Sequence, residues 1–300
     1  MKYRSFRILS TTRSIEGKIG DLLFGDLHPV RIMGVINLTD DSFYSGSVRR
    51  SLEDVKSEAL RMHAQGADIL DLGARSTAPY KKFDISVPEE EKTLVEAVKA
   101  VRETVTIPIS ADTTRFEPAR AALEAGATML NHVYGLMGPD SLKIARLLAS
   151  MECALLLAAG ENRPLEDRIE TPIERVMRSI ADSLRFCGDQ GIQTDRIMID
   201  PAIGFFKDEE FSNVEWNCEI LANLERLRMF NLPICIGLSR KKFLGELIGG
   251  LPPEARLNAS LAAGAISVYN GAHMIRTHDV KETRQAVDVA RAIREKRFIQ

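Results

Sequence analysis

Cysteine is scarce and scattered. The chain of 300 residues has four, Cys153, Cys187, Cys218 and Cys235, and no C-x-x-C pair. That spacing argues against a disulfide framework and a zinc site, and leaves reduced, mostly buried thiols in a cytoplasmic protein as the expectation. Net charge is also nearly absent, since 40 Lys+Arg against 42 Asp+Glu leave −2. A charge so balanced supplies no general field for phosphate backbones, so nucleic acid is not an expected partner. No apolar run approaches the roughly 20 residues of a membrane span. Residues 1–20 are basic but carry no apolar stretch of the kind a secretory signal needs. Low-complexity stretches, charge blocks and sequence repeats are lacking too. With 45% hydrophobic and 27% charged residues, a mainly disordered chain is excluded.

What the chain does have is alternation. Short apolar runs at 31–36, 68–72, 107–111, 128–131, 153–157, 196–199, 233–237 and 272–276 read as strands buried on both faces. Amphipathic segments separate them. Leu52, Val55, Ala59 and Met62 keep a helical period, as do Leu94, Val98 and Val101. Thr171-Pro172-Ile173-Glu174 predicts a helix start with a capping box, followed by a buried stripe of Ile173, Val176, Met177, Ile180 and Leu184. Residues 280–294 close the chain as a helix with Ala286, Val287, Ala290 and Ile293 on one side. Eight strands alternating with helices fit an α/β fold, either a (β/α)8 barrel or an open doubly wound sheet. Residues 1–28 are expected to be an N-terminal extension, a plug or short hairpin under the barrel, with residues 29–300 as the barrel itself.

In a barrel, the C-terminal strand ends form the active face. Here seven of the eight expected ends carry polar groups: Asn37; Asp71 with Gly73 and the Ser76-Thr77 loop; Asp112; Asn131; Asp200; Ser239, Arg240 and Lys241; and Arg276 with His278. The fifth, at Ala158-Ala159, has none. Such groups are costly to bury without partners, so a set at one rim points to a ligand. Two aspartates and an asparagine can saturate the edge of a planar, amine-rich heterocycle, because a carboxylate accepts two parallel N–H donors. Arg276 and His278 form a cationic pair at the last strand, where barrels often hold phosphate. Asn37 offers an oxygen to a hydrated Mg²⁺, which binds through few protein groups plus phosphate oxygens.

These residues then fall into a pattern. Residues 32–39 with Asp41-Ser42-Phe43, residues 66–73 with Ser76-Thr77, and Ser110-Ala111-Asp112-Thr113 resemble the dihydropteroate synthase family. So, in the family's order, do residues 200–205, 237–241 and 276–280. The resemblance runs from about Arg31 to the C-terminal helix and favours the barrel over the open sheet. It implies that Asp112, Asn131, Asp200 and Lys241 hold a pterin ring. Asn37, Thr77, Arg276 and His278 would hold the diphosphate, with Asn37 on Mg²⁺. Arg75, Ser239 and Lys242 would face an arylamine, and Asp112, Lys241, Arg276 and His278 would carry catalysis. In such enzymes 6-hydroxymethyl-7,8-dihydropterin pyrophosphate loses pyrophosphate and an arylamine, p-aminobenzoate, attacks the carbon. A homodimer through the last helices is also implied.

The chain departs from the family in its loops. Asp40 stands where proline usually follows Asn-x-Thr. Gly-x-Glu-Ser-Thr-Arg-Pro becomes a segment with Arg75 at the glutamate position and Ala78 at the arginine position. Asn-Asp-Val-Ser-Gly becomes Asn131-His132-Val133-Tyr134-Gly135, and Lys242 replaces a serine after Ser239-Arg240-Lys241. The pterin half is therefore retained and the second-substrate half altered, which suits a more anionic arylamine. A methyltransferase to a corrinoid protein shares the barrel but has no use for a diphosphate site, and a non-catalytic pterin-binding protein is the third reading. His28, His63 and His273 read as structural, His132 as equally suited to the site or the core, and Lys207 as a site group or a solvated loop lysine.

Overall fold

The structure, a computed structural model, describes residues 14–40, 48–49, 51–75, 85–160, 170–206 and 209–297. The chain opens with an antiparallel hairpin of β1 (Glu16–Ile19) and β2 (Leu22–Gly25). Strand β3 (Arg31–Asn37) follows, then a two-residue pair, β4 (Thr39–Asp40) with β5 (Val48–Arg49). Helix α1 (Leu52–Ala64), β6 (Ile69–Gly73), α2 (Val87–Arg102), β7 (Ile109–Asp112), α3 (Phe116–Glu124), β8 (Met129–His132), α4 (Ser141–Ser150) and β9 (Ala154–Ala158) continue the alternation. The second half runs α5 (Pro172–Asp189), β10 (Ile197–Asp200), α6 (Asn213–Ala222), β11 (Cys235–Gly237), α7 (Lys242–Leu247), α8 (Leu257–Tyr269), β12 (Met274–Thr277) and α9 (Val280–Arg297).

Eight of these strands form one parallel sheet in the order β10-β9-β8-β7-β6-β3-β12-β11. A single parallel bridge, Ile199 to Ile234, joins its two ends and closes the ring. The fold is thus a (β/α)8 barrel, and all eight expected strands are present. Their ends shift by a residue or two: Arg196 belongs to a 3₁₀ turn, Thr194–Arg196, and the polar residues Asn37, Asp112 and Asp200 are the last residues of their strands.

Strand periodicity sorts the side chains into two cores. Leu70, Leu72, Ile109, Ala111, Leu130, Ile199, Ile236 and Ile275 face the helix layer. Met33, Ile69, Met129, Ala154, Leu156, Met198, Cys235 and Met274 fill the lumen, and Ile19 and Phe24 of the hairpin join them. The hairpin thus plugs the barrel at the end where strands begin. Asp26 ties it down. Its carboxylate accepts two bonds from Arg228, at 2.9 and 2.8 Å, and one from the Ile15 N–H at 2.9 Å. Buried His273 also reaches it at 3.3 Å, and Arg294 at 3.5 Å. His273 Nδ1 accepts from the Ile234 N–H, which places the ring proton on Nε2, toward Asp26.

The helices follow local rules with two exceptions. At α5 the Glu174 carboxylate accepts the Thr171 N–H at 3.1 Å, as the capping pattern predicts. On α1, Val55, Ala59 and Met62 are buried, but Leu52 at the first position lies beyond the barrel wall and is exposed. On α9, Val287 and Ala290 are buried, whereas Ile293 is exposed together with Val289, Ile266 and Tyr269 of α8 and α9. Among the described residues, no helix is long and apolar enough to cross a membrane.

Candidate active site

Because Ile69, Met129, Met198 and Met274 point into the lumen, the residues two further along each strand do too. Asp71, Asn131, Asp200 and Arg276 therefore meet at one mouth, with Asp112 from β7. Contacts confirm the convergence for four of them. Arg276 Nε donates to Asp71 Oδ2 at 2.7 Å, and Arg276 Nη2 donates to Asp112 Oδ2 at 2.8 Å. Asn131 Nδ2 donates to the same Asp71 oxygen at 3.0 Å. The other oxygens, Asp71 Oδ1 and Asp112 Oδ1, are buried and have no partner among the described residues. The same holds for the hydroxyl of Ser110, which pairs with Asp71 across the ladder. Unfilled acceptors in a mouth are costly until something donates to them.

The charges press on one another. Burial, reinforced by the negative charge of Asp71, pushes Asp112 up to about 7, and Arg276 only partly offsets this. Burial also pushes Asp200 up to about 6. Asp200 keeps a water-facing edge and its Oδ1 accepts the Ala202 N–H at 2.7 Å, so its push is the weaker of the two. Burial and then the like charge of Arg276 pull Lys241 down to about 8. The guanidinium of Arg276, despite desolvation, is held more firmly charged by Asp71 and Asp112.

The β10 and β11 loops aim Lys241. Ala202 and Gly204 are both left-handed, at φ 57° and 80°, which folds the loop back so that the Lys241 ammonium lies 4.2 Å from the Phe205 ring centre. A Cβ on Gly204 would stand 3.1 Å from Lys241 Cδ, so only glycine allows this approach without displacement. Arg240, at φ 55°, turns the other way. It grips Asp279 through Nε and Nη2 at 3.0 and 2.8 Å and the carbonyls of Pro253 and Glu254 through Nη1. Arg240 is a strut that leaves its neighbour Lys241 facing the mouth.

Around the rim the placements are mixed. Ser239 Oγ accepts the His278 N–H at 3.3 Å and lies 3.0 Å from His278 Nδ1. Both bonds form when the hydroxyl donates its own proton to Nδ1. Desolvation and then the charge of Arg276 pull His278 downward, though its exposed ring tempers the first cause. Arg75 Nη2 donates to Thr114 Oγ1 at 2.9 Å, at the ends of β6 and β7. Asn37 is exposed at the end of β3. Lys242, by contrast, pairs with Glu246 at 2.9 Å on an exposed face of α7 and is not brought to the other groups. Thr77, Ser76, Ala78, Lys207 and residues 41–43 lie outside the described residues. His132 follows an inward residue and so points outward. It is buried, its Nδ1 accepts the Leu136 N–H at 3.2 Å, and burial pulls it down to about 4. It belongs to the core.

Two central residues carry no role in the sequence reading, which has Asp71 only as a strand end and does not name Glu90. Asp71 is fully buried and touches both Arg276 and Asn131. A charge inside Ile69-Leu70-Asp71-Leu72 was the available signal, since carboxylates are rarely buried unpaired. Glu90 on α2, also fully buried, accepts from Thr113 Oγ1 at 2.6 Å and from Arg115 Nη1 at 2.9 Å, bracing the loop behind Asp112. Nothing in the charged run at the start of α2 separates Glu90 from its neighbours Glu89 and Glu91.

Comparison with known proteins agrees with this geometry. A family model described as pterin binding enzyme matches residues 33–278. The chain is 34% identical over 269 residues to the dihydropteroate synthase of Escherichia coli K12, covering 89% of this chain and 93% of that one. The Xanthomonas albilineans dihydropteroate synthase solved with 4-aminobenzoic acid superposes at TM-score 0.81, with 32% identity over 94% of this chain and 98% of that one. The same enzyme solved with 7,8-dihydropteroate gives 0.76 and 29%, over 93% and 98%. With a barrel mouth of buried carboxylates around one arginine and this likeness over nearly its whole length, the chain belongs to the dihydropteroate synthase family of pterin-binding transferases.

Proposed function

We propose that this chain joins 6-hydroxymethyl-7,8-dihydropterin pyrophosphate to an arylamine and releases pyrophosphate. The observation that carries this is the unfilled acceptor set around Arg276: Asp112 Oδ1 has no donor, and Asp200 and Asn131 open on the same mouth. A flat ring rich in N–H groups would fill it. The C–O bond then breaks with its electron pair going to the diphosphate, and the arylamine nitrogen attacks the methylene carbon and loses a proton. The chain's task is electrostatic preorganisation rather than proton transfer. The carboxylates face the cationic pterin methylene, while Arg276 Nη1, which makes no bond among the described residues, and His278 are placed for the departing anion.

Asn37 fits a role on Mg²⁺, since it presents a hard amide oxygen to solvent at the rim and no group of three His, Cys, Asp or Glu among the described residues competes. When bound, the ion would neutralise charge on the diphosphate. For the second substrate, Arg75 supports p-aminobenzoate or a more anionic analogue. Lys242 adds little, being neutralised by Glu246. The exposed apolar face of Ile266, Tyr269, Val289 and Ile293 supports a homodimer, and four widely spaced cysteines suit a cytoplasmic protein.

Two measurements check this reading. Calorimetry of Asp112→Asn and Asp200→Asn against a pterin should show each losing about 1.5–3 kcal/mol, the worth of a charged hydrogen bond. Unchanged affinity in both would place the ring elsewhere. A pyrophosphate-release assay should then rank arylamines. Turnover with a phosphorylated ribofuranosyl-aminobenzene equal to or above that with p-aminobenzoate supports the anionic preference, and clear preference for p-aminobenzoate ends it.

A further inference from the structure

Resting on that reading, we infer that Asp71, which need not touch the substrate, decides which edge of a heterocycle this mouth accepts, by fixing the amide of Asn131 with its oxygen toward the ligand. An asparagine can offer a carbonyl or an amine, and the two differ by a rotation of the amide. Here a neighbour removes the choice. Asp71 Oδ2 lies 3.0 Å from Asn131 Nδ2, and a carboxylate only accepts, so only the NH₂ end can face it. The same oxygen takes Arg276 Nε at 2.7 Å, which holds the carboxylate still. Asp71 and Asn131 are both buried, so water cannot compete for either group.

Apart from the donors Lys241 and Arg276, the groups turned to the mouth are then acceptors: Asn131 Oδ1, Asp112 and Asp200. That array suits a ring edge presenting consecutive donors, such as the ring N–H and exocyclic amine of a 2-amino-4-oxopyrimidine. It opposes an edge that carries an oxygen at the 2-position, because two acceptors would meet without a proton between them. Asp71 is thus a positioning residue that sets specificity through Asn131.

The test compares two ligands, a pterin and the matching 2,4-dioxo ring (lumazine), by calorimetry. The wild-type protein should favour the pterin by about tenfold or more. In Asp71→Asn, the new amide can keep Arg276 with its oxygen and donate its NH₂ to Asn131 Oδ1, turning the Asn131 amine outward. The preference should then shrink by about tenfold. A merely structural role would weaken both ligands alike and leave the ratio unmoved, and that result overturns the inference. The exchanged pair Asp71→Asn with Asn131→Asp keeps the net charge and returns an acceptor to the outward face, so it should restore the preference. If neither variant folds, the wild-type ratio still decides, since a protein that binds both rings equally well lacks an all-acceptor edge. Failure of the wild-type protein to bind either ring overturns the proposed function itself, whereas binding without preference overturns only the role of Asp71.

Discussion

Replacing Arg276 with methionine is expected to lower kcat by about 10²- to 10³-fold, the usual loss when a preorganised donor to a developing anion is removed. Stability should suffer as well. Arg276 bonds Asp71 at 2.7 Å and Asp112 at 2.8 Å, and methionine leaves both carboxylates buried without the cation bonded to them. Breaking one side of a buried pair costs about 3–5 kcal/mol. The pH dependence separates this from a simple packing defect. Asp112 is already raised to about 7 by burial and Asp71. A carboxyl raised in the folded state contributes stability that is complete below its unfolded value near 3.8 and is lost as pH rises through its folded value. Without Arg276 that upward push grows, because a proton must do what the guanidinium did. Urea unfolding should therefore show the variant's deficit largest near about pH 8 and smaller near about pH 5. A deficit independent of pH would mean that the carboxylates are not held by this arginine.

At the other end of the barrel, Asp26→Asn should cost about 3 kcal/mol with no direct effect on the mouth. Asp26 accepts from Arg228, His273 and the Ile15 N–H, with Arg294 at 3.5 Å. An amide satisfies at most some of these and leaves two arginines without their counter-charge. Although burial opposes it, the bonds from His273 and Arg228 hold Asp26 well below the usual carboxylate range. The sign is thus opposite to that of Asp112. The Asp26 contribution is present above the unfolded value of 3.8 and is lost as pH falls below it. The gap in urea midpoint between wild type and variant should be full near about pH 7 and should narrow near about pH 2. A gap that widens in acid would contradict the assignment.

Much of this architecture is written in local pattern. Strands buried on both faces leave continuous apolar runs, so all eight were legible, and the polar residues closing seven of them mark the mouth. Asp112, Asn131 and Arg276 were found this way and do meet. Asp71 was legible only as a strand end, because its importance lies in what it touches across the lumen, 60 residues from Asn131 and 205 from Arg276. Glu90 was hidden in a run of like charges whose exposures only packing decides. Lys242 shows the opposite failure. Next to Lys241 in sequence, it starts a helix and turns away to Glu246. The exposed Leu52 and Ile293 show that a helical period tells which residues share a face, not how far the neighbouring wall extends.

The closing bridge between Ile199 and Ile234 has a consequence for how the cylinder breathes. Elsewhere neighbouring strands share three to five paired residues, but at this joint they share one. The joint is the stave gap of the barrel, where amide protons are expected to exchange with solvent soonest of the eight strand pairs, as hydrogen-exchange measurements would show. Asp200 stands on one side of the gap and Lys241 follows the strand on the other, so a molecule gripped by both would rivet the wall at its thinnest point.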